Sequence, residues 1–143
     1  MIVYELRHIY FVHKDEYVDS CRNLGIFSSS ESVHEAIQYY NDRLGFCDNQ
    51  KAYSIRRREV IGQVTDNIVY EALINPHTED YEYDYGVELG LFGSESDAKA
   101  AINVYVQDNI DFMSDGDVMR DCIVNRCMID RTYCAEGFTV YEY

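Results

Sequence analysis

The feature that most constrains this chain is a duplication. Ile2-Val3-Tyr4-Glu5 returns as Ile68-Val69-Tyr70-Glu71, and Leu24-Gly25-Ile26-Phe27-Ser28-Ser29 returns as Leu89-Gly90-Leu91-Phe92-Gly93-Ser94. A helix-like run with Ala36, Ile37 and Tyr40 returns as Ala101, Ile102 and Tyr105. A chain that says the same thing twice folds one unit twice, so the repeat sets the architecture. The copies differ in charge: residues 1–66 carry 10 acids against 8 bases, and residues 67–143 carry 16 against 4. The net charges are therefore −2 and −12. What repeats sets the fold, and what differs is the place to look for function.

Each copy reads strand, strand, helix, strand. Residues 2–12 alternate, with Ile2, Tyr4, Leu6, Tyr10 and Val12 on one side and Val3, Glu5, Arg7, Ile9 and Phe11 on the other. Period-two alternation rich in aromatic and β-branched residues is a strand signal. Residues 17–27 form the returning strand. Ser28 and Glu31 stand at capping-box spacing, which satisfies otherwise orphaned N–H groups at a helix start. Val33, Ala36, Ile37, Tyr40 and Leu44 then make one apolar stripe, with Gly45 as the expected C-cap. A third strand runs from about Ala52 to Ile61. In the second copy the strands are expected over 68–75, 81–92 and 121–129, with a short extra strand over 137–142. Ser94 and Asp97 repeat the cap, and Ala98, Ala101, Ile102 and Tyr105 the stripe. The expectation is an α+β fold: a tandem pseudo-symmetric duplication of a β-β-α-β unit, 1–66 and 67–143, packed as one compact domain. Residues 62–67 are the only joint between the copies, too short to let them drift apart.

Gly25-Ile26-Phe27-Ser28-Ser29, the helix with Ala36-Ile37, Gly45-Phe46 and Tyr53-Ser54-Ile55 together resemble a family of small bacterial domains of no assigned function, in which a strand ends in a G-x-F/Y-S-S step before a capped helix. Glu136-Gly137-Phe138 is similar to that family's ending, although this chain has Cys134-Ala135 before it and no tryptophan. The resemblance implies a fold and little else. Small acidic toxin-immunity proteins are an analogy of size and charge only.

The net charge of −14 and the pI of about 4.4 disfavour nucleic acid and anionic membrane surfaces as partners. They favour a basic protein partner. No run of about 18 apolar residues suggests a membrane span, and the amino-terminal alternation reads as a strand and not as a signal peptide. Cys21, Cys47, Cys122, Cys127 and Cys134 are odd in number, which fits a reduced cytoplasmic protein.

Sites of chemistry are scarce. Cys122 and Cys127 lack the second ligand pair of a structural zinc site, and a strand would point them to opposite faces. His8, His13, His34 and His77 are scattered, with His8 on an apolar strand face. Phosphate-binding and nucleophile-elbow motifs are absent. No catalytic residue, cofactor or metal is therefore expected. Arg56-Arg57-Arg58 is the one basic cluster, split over two strand faces, and reads either as a partner for acids of the second copy or as edge-strand charge.

The most unusual stretch is Thr78-Glu79-Asp80-Tyr81-Glu82-Tyr83-Asp84-Tyr85, with tyrosines and carboxylates on alternating faces. Tyrosines supply rigid contact area, and carboxylates supply steering and recognition of Arg and Lys. The expected partner-binding residues are Glu79, Asp80, Glu82, Asp84 and Glu88, with Asp115 and Asp117 from the acidic loop after the second helix. The leading expectation is a non-enzymatic binding protein, concretely an immunity protein or toxin inhibitor. The rivals are a nucleic-acid mimic of phage type and a small-molecule sensor or enzyme with its site between the copies.

Overall fold

A computed structural model describes residues 1–11, 19–43, 53–74, 86–109 and 122–133. The elements in chain order are β1 (Ile2–Phe11), β2 (Asp19–Phe27), α1 (Ser30–Asn41), β3 (Tyr53–Ile61), β4 (Ile68–Ile74), β5 (Val87–Phe92), α2 (Glu95–Asp108) and β6 (Cys122–Met128). Among the described residues, six strands of mixed pairing and two helices make an α+β fold. The expected strand over 137–142 and the expected C-cap Gly45 lie outside the described residues.

The contacts divide the chain into two compact units, neither of them continuous in sequence. The N unit holds Ile2–Arg58 together with the segment that begins at Ile129, and the C unit holds Met1 with Glu59–Met128. The division runs through strand ends, and residues 62–67 lie wholly inside the C unit. They are not a linker. Ile68 N–H donates to the Thr65 carbonyl at 3.1 Å, and Asp66 and Asn67 between them both take left-handed φ, 56° and 55°. Two successive positive φ values define the tight hairpin turn whose twist matches its strands, and Asp and Asn are residues that tolerate it.

In the N unit β1 pairs antiparallel with β2: Tyr4 opposite Phe27, Glu5 opposite Ile26, Leu6 opposite Gly25. The register then shifts, so that Arg7 faces Asn23 and Leu24 is the extra residue of a bulge. Gly25 has φ +148°, and a Cβ there would stand 2.6 Å from the Arg131 carbonyl oxygen, which only glycine allows. β3 is the other neighbour of β1. The segment after β6 closes the outer side of β2. Ile129 bridges Ile26 in parallel, Asp130 N–H donates to the Ile26 carbonyl at 2.8 Å, and Tyr133 N–H donates to the Leu24 carbonyl at 2.9 Å.

The cap of α1 falls one residue later than its sequence spacing suggests. Ser29, not Ser28, is the N-cap, and its hydroxyl accepts from Ser32 N–H at 3.1 Å. The reason is a competing partner: the Ser28 amide and hydroxyl donate to the two carboxylate oxygens of Asp130, at 2.8 and 2.6 Å. Glu31 is left in the first turn, where its charge favours the helix dipole. Asp42 is the C-cap. Val33, Ala36 and Tyr40 of the expected stripe are buried with Leu6, Leu24 and Phe27, and Tyr4, Ile37 and Tyr53 pack against that cluster. The fully buried Tyr40 hydroxyl bridges the carbonyls of Leu24, at 3.2 Å, and Tyr133.

In the C unit β4 pairs antiparallel with β5: Tyr70 opposite Phe92, Glu71 opposite Leu91, Ala72 opposite Gly90. A shift follows that leaves Leu89 as the extra residue before Leu73 meets Glu88. β6 runs antiparallel along the other side of β4, from Ile68 opposite Met128 to Ile74 opposite Cys122. The end of β3 lies parallel to β5, with Val60 opposite Leu91 and Ile61 opposite Phe92. Gly93 N–H donates to the Ile61 carbonyl at 2.8 Å, and a Cβ on Gly93 would stand 2.2 Å from the Gln63 carbonyl oxygen. Here the cap is where the sequence puts it: Ser94 Oγ accepts from Asp97 N–H at 3.1 Å and donates to the Asp97 carboxylate at 2.7 Å. Ala98 and Ile102 are buried with Ala72, Ile74 and Phe92, and Ala101, Tyr105, Val106, Cys122 and Val124 pack around them.

Candidate functional site

Of the acidic residues expected to meet a partner, Glu88 is described. It is half-buried on β5, opposite Leu73 in the β4–β5 register. Glu79, Asp80, Glu82, Asp84, Asp115 and Asp117 lie outside the described residues, as do Tyr81, Tyr83 and Tyr85. The described part of the acidic half presents Glu95, Asp97 and Asp108 as exposed carboxylates on α2, beside the exposed Lys99. Lys99 Nζ sits 2.5 Å from Glu95 Oε1, an i,i+4 pair of solvent-exposed side chains.

The best-built polar cluster among the described residues is in the N unit, and no local pattern in the chain marks it. Glu5 is fully buried. Its Oε1 accepts from Arg7 through both Nε, at 2.9 Å, and Nη2, at 2.6 Å, and from Asn23 Nδ2 at 3.3 Å. Its Oε2 meets Arg58 Nη1 and Arg56 Nε, each at 3.4 Å. Burying a carboxylate is costly unless charge and hydrogen bonds replace water, and the forked guanidinium of Arg7 does both. The Arg58 side chain is itself only 8% exposed. Arg56 and Arg58 thus share a strand face, as alternation requires, and both reach an acid of their own unit. The exposed Arg57 alternates away from them. The cluster ties β1, β2 and β3 together and has the chemistry of a structural network.

The C unit buries a carboxylate at the matching place on its first strand. Glu71 is 6% exposed, and its Oε2 accepts from Asn125 Nδ2 at 3.4 Å. His8 is fully buried with its ring 5.3 Å from that of Tyr53, so it is a core side chain, as its strand face implied. His34 is exposed and holds the Ser30 carbonyl through Nδ1 at 2.6 Å, a local helix contact. Cys122 and Cys127 are half-buried thiols outside any disulfide. Among the described residues no group of three or more His, Cys, Asp or Glu side chains is placed to hold a metal ion. None of their helices is long and apolar enough to cross a membrane.

A cleft of about 440 Å³ opens in the C unit between α2 and β6. Ile102 and Val106 on the helix and Cys122 and Val124 on the strand give it apolar walls, and Glu95 and Lys99 stand at it as its charged side chains. No periodicity in the sequence marks this cleft, because alternation and helix spacing label its wall positions only as apolar.

No family model, no curated protein and no solved structure matches this chain.

Proposed function

We propose that the chain is a non-enzymatic binding protein whose acidic half, residues 67–143, engages a basic protein partner, most concretely as an immunity protein or inhibitor that neutralises a toxin. The observation that carries this reading is the partition of charge. Of the 12 bases in the chain, four lie in residues 67–143 against 16 acids. Of the N unit's bases, Arg7, Arg56 and Arg58 are engaged by the buried Glu5. The described acids of α2 face solvent. Such a distribution accelerates encounter with a cationic surface and selects against anionic ones.

We further propose that the N and C units are copies of one β-β-α-β unit. The supports are a common hairpin register with the shift at the same step, a serine N-cap on each helix, and a buried glutamate on each first strand. On this reading evolution kept the frame and changed the charges.

The test is charge reversal. With a partner captured from the native host, replacing Glu82 and Asp84 by lysine weakens the complex and flattens the salt dependence of its affinity. An affinity that stays unchanged, with its salt dependence intact, sinks the assignment.

A further inference from the structure

The cleft between α2 and β6 is lined by a small strand residue where the N unit carries a large one. In the N unit the strand that follows the helix begins with Tyr53, whose ring packs against the cluster beneath α1, and the first buried residue of the helix is Val33. In the C unit the strand that follows the helix begins with Cys122, and the first buried residue of the helix is Ala98. The smaller strand residue, Cys122, lines the cleft of about 440 Å³ at the seam between helix and strand. Cavities of this order accept a ligand group, and apolar walls favour an apolar one. The walls are Ile102, Val106, Cys122 and Val124. The surroundings set the sign of what flanks that group. α2 exposes Glu95, Asp97 and Asp108 against the single base Lys99, which is already paired with Glu95.

We infer that this cleft is an anchor pocket for an aromatic side chain flanked by lysine or arginine, presented by the basic partner. The inference rests on the reading of the chain as a binder of basic proteins and adds to it the place and chemistry of the main contact. In the N unit the protein's own Tyr53 supplies an aromatic ring at the start of the strand after the helix. In the C unit the partner supplies one from outside. The ring buries apolar area that the cleft otherwise leaves to water, while the flanking cations lie over the carboxylates of α2. A buried aromatic anchor with a charged rim is the usual energetic anatomy of a tight protein contact.

The probes are three short peptides titrated into the full-length, ¹⁵N-labelled protein: acetyl-Lys-Lys-Phe-Lys-Lys-amide, the same peptide with alanine in place of phenylalanine, and acetyl-Glu-Glu-Phe-Glu-Glu-amide. The expected result is that the Lys/Phe peptide shifts the amide signals of Ile102, Val106, Cys122 and Val124 and binds at least about tenfold more tightly than its alanine counterpart. Cys122→Tyr places in the cleft the residue that opens β3, and Val106→Phe fills it from the helix side. Whichever of these keeps a dispersed, folded spectrum must abolish the advantage of phenylalanine over alanine. Equal affinity for the phenylalanine and alanine peptides overturns the anchor pocket but leaves the basic-partner reading standing, as does a phenylalanine preference that survives filling of the cleft. Equal affinity for the lysine and glutamate peptides overturns the basic-partner reading itself. Signal shifts confined to other parts of the chain overturn the pocket.

Discussion

The N and C units run through the same elements in the same hairpin register, yet they surround their buried glutamates differently. Glu5 meets Arg7, Arg56, Arg58 and Asn23. At the register step where Arg7 faces Asn23, the C unit has Leu73 facing Glu88, and Glu71 takes a hydrogen bond from Asn125. Two residues before Val60, which pairs in parallel with β5, stands Arg58. Two residues before Ile129, which bridges β2 in parallel, stands Cys127. The hairpin register with its shift thus forms in the C unit without arginines around the buried glutamate. Pairing, bulge and helix cap are made by main chain and small polar side chains, while the side chains around the buried glutamate differ between the units.

The sharpest way to break the comparison is Glu5→Ala. It leaves Arg58, almost wholly buried, facing an emptied site, and it should cost about 3–5 kcal/mol in urea unfolding followed by circular dichroism. A double variant, Glu5→Leu with Arg58→Met, should recover a large part of that loss, because exchanging a buried ion pair for apolar groups of similar volume is often close to neutral. A loss below about 1 kcal/mol for Glu5→Ala would mean that the arginines do not anchor β1 to β2 and β3.

A middle-sized effect separates the helices. Tyr40→Phe removes a fully buried hydroxyl that bridges Leu24 and Tyr133, and should cost about 1–2 kcal/mol. Tyr105, the corresponding residue of the α2 stripe, is half-buried at the edge of its cluster, and Tyr105→Phe should cost less than about 0.5 kcal/mol. Equal losses would erase the distinction between a helix pinned by its tyrosine and one that only rests on it. The smallest effects test what the two helices share. Ser29→Ala and Ser94→Ala should each cost about 1 kcal/mol, and Lys99→Ala only about 0.3–0.5 kcal/mol because its pair with Glu95 is exposed.

The fold was legible where the signal is local. Among the described residues alternation marked the strands, the three-and-four spacing marked the buried positions of both helices, and Ser94-x-x-Asp97 marked the cap of α2. It failed where a partner distant in sequence intervened. Ser28 looked like a cap, but Asp130, 102 residues away, takes both of its donors. Glu5 was placed on the correct strand face, opposite Leu6, but its burial depends on Arg56 and Arg58, 51 and 53 residues further on. The parallel contacts of Val60 with Leu91 and of Ile26 with Ile129 are one or two residues long and leave no periodicity to read. The cleft between α2 and β6 was invisible for a related reason: alternation tells apolar from polar, not a tyrosine-sized group from a cysteine-sized one. The acidic residues chosen for partner binding stood out by composition, which speaks of steering and solubility but not of position.

The attachment of the segment from Ile129 to the N unit has a consequence for how the chain is made. Strands β1 and β2 are made long before Asp130 and Tyr133, whose hydrogen bonds join them in the N unit. That unit waits through the synthesis of the whole C unit before its bulge at Leu24 and the hydroxyl of Tyr40 receive their final partners. A cut after Met128 would keep the described strands of the C unit and deprive the N unit, whose strands β1 and β2 are made earlier, of Asp130 and Tyr133.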